Sequence, residues 1–254
     1  MNFYIETSGQ GPDLVMLHGW GLHGGVFAGI ARALSERCCV HRVDLPGHGA
    51  TPGLELFDAD AVADRLAAAF PLPVHVLGWS LGGLIAQHWA ARHPHGVSSL
   101  ALVASSPCFV ERDDWPHAQR ADAIAAVGTS LEQAFEETLE RFLALQMLGA
   151  PGARDTLKAV RADLFAHGRP QGLQSALRLL LNDDARDLAA RIRCPVGLFF
   201  GERDVITPIG AGRWLEAQLA DATLYSFPRA SHAPFLSHEQ AFLQEIGNFL
   251  DSHA

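Results

Sequence analysis

A strand–serine–helix junction at residues 78–82, with the sequence Gly-Trp-Ser-Leu-Gly, constrains the fold of this chain most. The apolar run 74–77 before it is typical of a buried strand, and the apolar run 84–91 after it is typical of a helix. A serine on so sharp a turn is presented as a nucleophile. The flanking glycines leave room for the crossing of strand and helix, and the start of the helix offers free N–H groups to developing negative charge. The junction therefore predicts an α/β chain with Ser80 at the carboxyl end of a strand.

An acid and a histidine follow Ser80 in the chain order that such a nucleophile requires. Asp204 lies in the loop after the apolar run 194–201, and His232 lies just beyond the apolar run 222–227. Because the carboxyl ends of parallel strands meet at one edge of a sheet, we expect the three side chains to lie together. His232 then accepts the Ser80 proton and later donates it to the leaving alcohol, while Asp204 holds the imidazole tautomer.

Rival acids and bases are present in the same segments. Glu202 lies nearer the strand than Asp204, but the apolar residues after Asp204 can pack over it and shield it. The chain has 13 histidines, and His238 is the nearest rival of His232 in sequence. His238 falls at the start of the last predicted helix, which makes it the weaker candidate.

Two backbone N–H groups are predicted to bind the oxyanion that forms when a serine attacks an ester. One belongs to Leu81, the residue after the nucleophile. The other belongs to Trp20, in the loop 18–21 that follows the strand-like run 14–17. Each such donor is worth roughly a hundred- to a thousandfold in rate. The Trp20 indole is also a candidate wall of an acyl pocket. Core packing is the alternative interpretation of this residue, and the two roles are compatible.

The composition is that of a single globular domain. The chain has 254 residues, of which 48% are hydrophobic and 19% charged, and a net charge of −9 that argues against nucleic-acid binding. The amino terminus lacks a basic region followed by a long apolar stretch, and no apolar run reaches the ~18 residues of a membrane span. The four cysteines form no Cys-x-x-Cys pair, so neither zinc nor a disulfide framework is indicated. We expect a cytoplasmic monomer with reduced thiols.

Alternating strand-like and helix-like runs predict a mostly parallel sheet with helices on both faces. The predicted strands are 3–7, 14–17, 39–44, 74–77, 100–104, 194–201 and 222–227, and the early helices are 26–35 and 59–69. Between 106 and 188 the pattern is helical instead, with helices at 122–127, 131–148, 153–166 and 173–181. We interpret 106–188 as a helical lid inserted into a core formed by 1–105 and 189–254.

Motifs across nearly the whole chain carry a family resemblance. They lie at 17–22, 43–47, 77–84, 103–109, 140–146 and 233–235, and the most specific are Ser-Ser-Pro-Cys-Phe at 105–109 and Arg-Phe-Leu-Ala-Leu-Gln at 141–146. On these residues the chain resembles the alpha/beta-hydrolase superfamily. Within it, the chain is similar to the pimeloyl-[acyl-carrier-protein] methyl ester esterases of biotin biosynthesis.

The resemblance implies a serine carboxylesterase that needs no cofactor and no metal. Ser80 would attack the methyl ester of a pimeloyl chain on acyl carrier protein, methanol would leave, and water would release the free carboxylate. The acyl chain would contact Trp20, Leu81, Phe142, Leu143, Ala144, Leu145 and Gln146.

Basic lid residues hold the acidic carrier protein in this family, and the resemblance carries that role to four positions. The candidates are Arg141, Arg154, Lys158 and Arg161. The chain departs from a strongly basic lid, because four glutamates at 132, 136, 137 and 140 crowd the same region. A solvated helix face is the competing interpretation of these basic residues.

Other activities remain open at this point. A general short-chain carboxylesterase without a carrier partner would use the same three residues. So would hydrolysis of a carbon–carbon bond in a diketone, or a lyase step in menaquinone synthesis. Dehalogenases and epoxide hydrolases are disfavoured, because their nucleophile is an aspartate. A non-catalytic binding protein on this fold is disfavoured by the complete set of Ser80, Asp204 and His232.

Overall fold

A computed structural model describes residues 2–54, 56–146 and 169–253, together with Lys158. Its centre is one seven-stranded sheet. The strands are β1 (Ile5–Ser8), β2 (Asp13–Leu17), β3 (Cys39–Val43), β4 (Val74–Trp79), β5 (Val97–Val103), β6 (Val196–Gly201) and β7 (Ala222–Phe227).

The sheet order is β1-β3-β2-β4-β5-β6-β7. Only β1 runs antiparallel to its neighbour, pairing Ile5 with Val43, and the other strand pairs are parallel. Residues of β4 and β6 are buried along their whole length, as expected for parallel strands covered on both faces. The parallel arrangement brings the carboxyl ends of β2, β4, β6 and β7 to one edge of the sheet.

Helices separate the strands. They are α1 (Ala28–Leu34), α2 (Ala59–Ala69), α3 (Leu81–Arg92), α4 (Ala121–Gln133), α5 (Phe135–Gln146), α6 (Leu173–Asn182), α7 (Ile209–Gln218), α8 (Pro234–Ser237) and α9 (Glu239–Asp251), with 3-10 turns at Gly24–Phe27 and Arg186–Arg191. Helix α3 follows directly on β4 and is buried from Leu81 to Ala91, so the nucleophile junction lies in the middle of the core.

The prediction of a mostly parallel sheet flanked by helices is confirmed, with strand ends shifted by up to three residues. The helical pattern predicted from 106 onwards is wrong for its first part. Residues 106–120 form no helix and hold two isolated bridges, Val110 with Gln119 and Arg112 with Trp115. Pro107 and Pro116 lack the N–H that a continuous helix would need there.

The division between the first two predicted lid helices is also corrected. Leu131 belongs to α4 and is buried there, and Ala134 ends α4 with an extended φ of −146° before α5 starts at Phe135. The helix predicted at 153–166 lies outside the described residues apart from Lys158. The boundaries proposed for core and lid therefore stay a prediction. In the part of the chain that the structure describes, no helix combines the length and apolar character needed to cross a membrane.

Candidate active site

Ser80 occupies a strained turn between the last residue of β4 and the first residue of α3. Its φ is +54° and its ψ is −117°, a backbone conformation that residues other than glycine rarely adopt. The Ser80 N–H donates to the Val103 carbonyl at 3.0 Å, and the Ser80 carbonyl accepts from the Gly83 and Leu84 N–H groups at 3.0 and 3.1 Å. These bonds on both sides hold the strained residue in place.

Close backbone approach explains the glycines around the nucleophile. A Cβ on Gly82 would lie 2.1 Å from the Leu17 carbonyl oxygen, and one on Gly78 would lie 2.6 Å from the Gly82 oxygen. Both distances are far below van der Waals contact, so the junction admits no side chain at either position.

Asp204 and His232 form a buried pair at the same edge of the sheet. His232 Nδ1 lies 2.8 Å from Asp204 Oδ2, and the two side chains are 1% and 0% exposed. The other carboxylate oxygen, Oδ1, accepts the N–H groups of Ile206 at 2.8 Å and Thr207 at 2.9 Å. These backbone donors fix the carboxylate, so that Oδ2 faces the imidazole.

The second ring nitrogen of His232 is free to act as a base. Its Nε2 is buried and has no hydrogen-bond partner among the described residues. The ring lies 5.6 Å from the Trp79 indole, measured between centroids, and the Trp79 Nε1–H donates to the His232 carbonyl at 2.8 Å. Since Nδ1 donates to Asp204 Oδ2, Nε2 carries the lone pair that can accept a proton from a hydroxyl group.

The two predicted oxyanion donors lie next to Ser80. Leu81 is the first residue of α3, a position whose N–H has no partner within the helix. Trp20 follows β2 in a loop that approaches the nucleophile closely, since a Cβ on Gly19 would lie 3.4 Å from Ser80 Cβ. The Trp20 side chain is anchored by its Nε1–H, which donates to the Leu173 carbonyl of α6 at 2.9 Å.

An apolar cavity of about 210 Å³ opens onto Ser80. Its walls come from helices α4, α5 and α6, from the segment 106–120 and from residues that follow β2, β4 and β6. They are formed by Trp20, Ser80, Phe109, Gln119, Ala123, Ile124, Val127, Phe142, Leu145, Leu177, Leu180 and Ile206. Such a lining suits an aliphatic acyl chain whose carbonyl carbon reaches the serine hydroxyl.

The five predicted acyl contacts of α5 lie in three different environments. Phe142 and Leu145 line the cavity, and the Phe142 ring meets the Trp20 indole edge-on at 5.1 Å between centroids. Leu143 and Gln146 are buried but not on the cavity wall, and Ala144 is exposed. The role of these residues in binding stays a prediction.

The basic candidates are placed only in part. Arg141 is exposed and forms an ion pair with Glu137, one turn away on α5, at 2.6 Å. Lys158 is exposed. Arg154 and Arg161 lie outside the described residues.

The rival groups lie apart from the buried pair. Glu202 is exposed and accepts from Ser226 at 3.4 Å, and His238 bonds to the neighbouring Ser237 at 2.8 Å. All four cysteines are free thiols. Among the described residues, one group of side chains has potential metal-ligand spacing: Asp13, Cys39 and His41. It lies near the amino ends of β2 and β3, whereas Ser80 lies at the carboxyl end of β4.

Several cavity residues were not predicted as binding residues, although the sequence contained a signal for them. Ala123 and Val127 are four residues apart on α4, and Leu177 and Leu180 are three apart on α6. Such spacing puts side chains on one helix face. The sequence alone did not show that this face is turned towards the nucleophile.

The fold and this arrangement define a member of the alpha/beta hydrolase family, whose family model matches residues 14–245. Within that family the chain belongs with the pimeloyl-[acyl-carrier protein] methyl ester esterases. It is 69% identical to the protein of that name from Chromobacterium violaceum, over the full length of both. It is 41% identical to the one from Nitrosomonas europaea, over 95% of this chain and 97% of the relative.

Solved structures agree on the fold. An esterase from Exiguobacterium antarcticum superposes with a TM-score of 0.90, covering 98% of this chain and 95% of its own, at 24% identity. The enol-lactonase from Burkholderia xenovorans superposes with a TM-score of 0.84 at 21% identity, covering 98% of this chain and 96% of its own. At these identities the likeness shows a shared fold.

Proposed function

We propose that this chain hydrolyses the methyl ester of pimeloyl-acyl-carrier protein to free pimeloyl-acyl-carrier protein and methanol, a step of biotin biosynthesis in the cytoplasm. The observation that carries the proposal is the buried His232–Asp204 pair beside a strained Ser80, at the mouth of an apolar cavity. The 69% identity to an esterase with this substrate in its name supports the choice of ester.

In the proposed reaction, Ser80, His232 and Asp204 each have a separate role. Ser80 attacks the ester carbonyl as His232 Nε2 removes its proton, and Asp204 stabilises the imidazolium that results. The N–H groups of Trp20 and Leu81 bind the oxyanion. The protonated His232 then donates to the departing methoxide, and water repeats the sequence on the acyl-enzyme to release the carboxylate.

The apolar cavity supports a polymethylene chain as the acyl group. Its walls include Phe109, Phe142, Leu177 and Leu180. The Gln119 Nε2 amide, which also lines the cavity, already donates to the Ile206 carbonyl at 3.2 Å. A medium-length chain buried there would present its terminal ester at Ser80, with the carrier outside. Carrier binding through Arg141, Arg154, Lys158 and Arg161 is a separate part of the proposal, set against a net charge of −9 that repels an acidic partner at long range.

The decisive experiment compares hydrolysis of pimeloyl-acyl-carrier-protein methyl ester with hydrolysis of p-nitrophenyl acetate, in the wild type and in Ser80→Ala. We expect a strong preference for the carrier-bound ester and loss of both activities in Ser80→Ala. Equal or better turnover of the free ester would instead identify a general carboxylesterase. The double charge reversal Arg154→Glu and Lys158→Glu tests the carrier patch, because it should slow only the carrier-bound substrate.

A further inference from the structure

The Ser-Ser-Pro-Cys-Phe stretch at 105–109 carries a feature that the catalytic groups do not account for. Ser105 is fully buried two residues after the end of β5, and its hydroxyl donates to the Ser80 carbonyl at 2.8 Å. The carbonyl of Ser80 and the N–H of Leu81 belong to one planar peptide unit. Ser105 therefore holds the carbonyl end of the Ser80–Leu81 peptide, whose N–H is the proposed oxyanion donor.

Two further observations show that Ser105 is built into the nucleophile turn. The preceding residue, Ala104, has a φ of +43°, which costs an alanine about 1 kcal/mol. A Cβ on Gly83 would lie 2.4 Å from both Cβ and Oγ of Ser105, so Ser105 fills space that only glycine leaves open. The strained backbone of Ala104 and the missing side chain of Gly83 thus both favour the observed position of the Ser105 hydroxyl group.

The second oxyanion peptide is held in the same way. The N–H of Trp20 shares its peptide with the Gly19 carbonyl, and His18 Nδ1 lies 2.8 Å from that oxygen. The tautomer follows from the other ring nitrogen, because Nε2 accepts the Leu45 N–H at 2.9 Å and must carry a lone pair. Nδ1 therefore bears the proton and donates to Gly19. Burial lowers the pKa of His18 to about 3, which keeps the ring in this neutral form.

We propose that Ser105 and His18 are positioning residues that fix the two oxyanion N–H groups by hydrogen bonding to the carbonyl oxygen of the same peptides. Because a peptide is rigid, a bond at its carbonyl sets the direction of its N–H. A hydrogen bond accepted at the carbonyl also polarises the N–H and strengthens its donation. The proposal rests on the proposed function, since it requires Trp20 and Leu81 to bind an oxyanion formed at Ser80.

The test uses four single variants with a p-nitrophenyl ester as substrate. Ser105→Ala removes the bond to Ser80. Ser106→Ala is the matched control, because Ser106 is an equally buried neighbour that bonds to Cys108 instead of Ser80. Its hydroxyl donates to the Cys108 carbonyl at 2.6 Å and accepts the Cys108 N–H at 3.2 Å. His18→Gln puts an amide oxygen near the position of Nε2 and loses the bond to Gly19, whereas His18→Asn puts an amide nitrogen near Nδ1 and keeps it.

We expect Ser105→Ala and His18→Gln each to lower kcat and kcat/KM about tenfold with KM unchanged, which is less than the hundredfold or more for loss of an oxyanion donor itself. Ser106→Ala should remain within twofold of the wild type, and His18→Asn should keep a severalfold higher kcat than His18→Gln. A trifluoromethyl ketone, whose adduct with Ser80 places a negative oxygen between the two donors, should bind each impaired variant about tenfold more weakly.

The ketone separates positioning from a general structural effect, since a loosened fold would raise KM without selecting against the tetrahedral adduct. Wild-type kcat in Ser105→Ala, or unchanged ketone affinity in a variant with reduced kcat, would overturn the proposal. Equal losses in His18→Gln and His18→Asn would remove His18 from it. Activity retained by Ser80→Ala would refute the catalytic assignment itself, whereas an inactive Ser80→Ala beside a fully active Ser105→Ala would refute only the positioning.

Discussion

Asp204 illustrates how a single carboxylate can determine which ring nitrogen of a histidine carries the proton. Its Oδ1 accepts two backbone N–H groups, from Ile206 and Thr207, and its Oδ2 faces His232 Nδ1 at 2.8 Å. Backbone donors cannot accept, so they lock the orientation of the carboxylate. The imidazole is thereby held with its proton on Nδ1 and its lone pair on Nε2.

Asp204→Asn is expected to lower kcat by about 10³- to 10⁴-fold with little change in KM. The amide oxygen would stay on the Ile206 and Thr207 N–H groups, which leaves the NH₂ group facing His232. That contact forces the proton onto Nε2, where it prevents His232 from accepting the Ser80 proton. Steady-state kinetics on a p-nitrophenyl ester checks this, and a loss smaller than tenfold would contradict the assigned role.

Much of the site could be predicted at the level of single residues. Ser80, Asp204 and His232 each follow a recognisable strand. The apolar residues after Asp204 favoured it over Glu202, and the position of His238 at a helix start favoured His232. The roles of Ser105 and His18 could not be predicted, because a hydrogen bond to the carbonyl side of a peptide depends on tertiary contacts. The positive φ of Ala104 likewise leaves no mark in the sequence.

The nucleophile element depends on glycine at the crossing of α3 with β2. We expect Gly82→Ala to reduce the free energy of unfolding by about 3 kcal/mol or to prevent soluble expression, because its Cβ would meet the Leu17 carbonyl at 2.1 Å. Gly53→Ala is the matched control, since its Cβ would find only ordinary contacts at 3.5 Å or more. Urea unfolding measures both. Equal stabilities would show that the junction relaxes more easily than its geometry suggests.

His88 joins three elements through one ring. From α3 its Nδ1 contacts Asp60 of α2 at 2.7 Å, and its Nε2 contacts Asp183 at the end of α6 at 2.9 Å. Both partners are carboxylates, so both ring nitrogens donate and the ring is an imidazolium. Burial by itself would lower the pKa of His88, but the hydrogen bonds to Asp183 and Asp60 outweigh it and raise the pKa above its usual value.

The contacts of His88 with Asp60 and Asp183 make the stability of the α3–α6 packing depend on pH. A raised pKa in the folded state means that the stabilisation is complete below about pH 6.5 and is lost as the pH rises through the folded value. We expect His88→Gln to cost about 2 kcal/mol at pH 6 and less at pH 9, measured by urea unfolding. The same cost at both pH values would show that the imidazolium charge contributes nothing.

Elements of regular secondary structure could be predicted more reliably than the connections between them. The helix Ala59–Ala69 and the strand Ala222–Phe227 match their predicted bounds. The segment 106–120 was wrongly included in a helical stretch, because its apolar residues pack through two bridges and a loop rather than through a helix face. Periodicity detects a buried face but not the backbone path that buries it.

At the scale of the whole molecule, the core encloses titratable groups that are not in the proposed catalytic pair. His18 and His48 are fully buried, with ring centroids 5.4 Å apart. The pKa of each is lowered to about 3, by burial in both and, in His48, also by the neighbouring His18. His48 donates from Nδ1 to the Pro46 carbonyl at 3.0 Å, while its Nε2 has no partner among the described residues. Both rings are therefore neutral in the folded protein.

These two histidines are expected to dominate the acid sensitivity of the fold. Between pH 6.5 and about 3 the unfolded chain binds their protons and the folded chain does not, so stability falls as the pH falls. Each group contributes up to about 1.4 kcal/mol per pH unit. His88 adds no slope there, because it is protonated in both states. Urea unfolding of the wild type at pH 6.5, 5.5 and 4.5 should show the combined loss.

His48→Asn isolates one of the two contributions. The amide nitrogen can keep the bond to the Pro46 carbonyl, and the variant has no group to titrate at that position. Its absolute stability will be lower because the side chain is smaller, but the slope of stability against pH should fall by about 1.4 kcal/mol per unit. An unchanged slope would mean that His48 is already accessible to protons in the folded state, through opening of the loop that covers it.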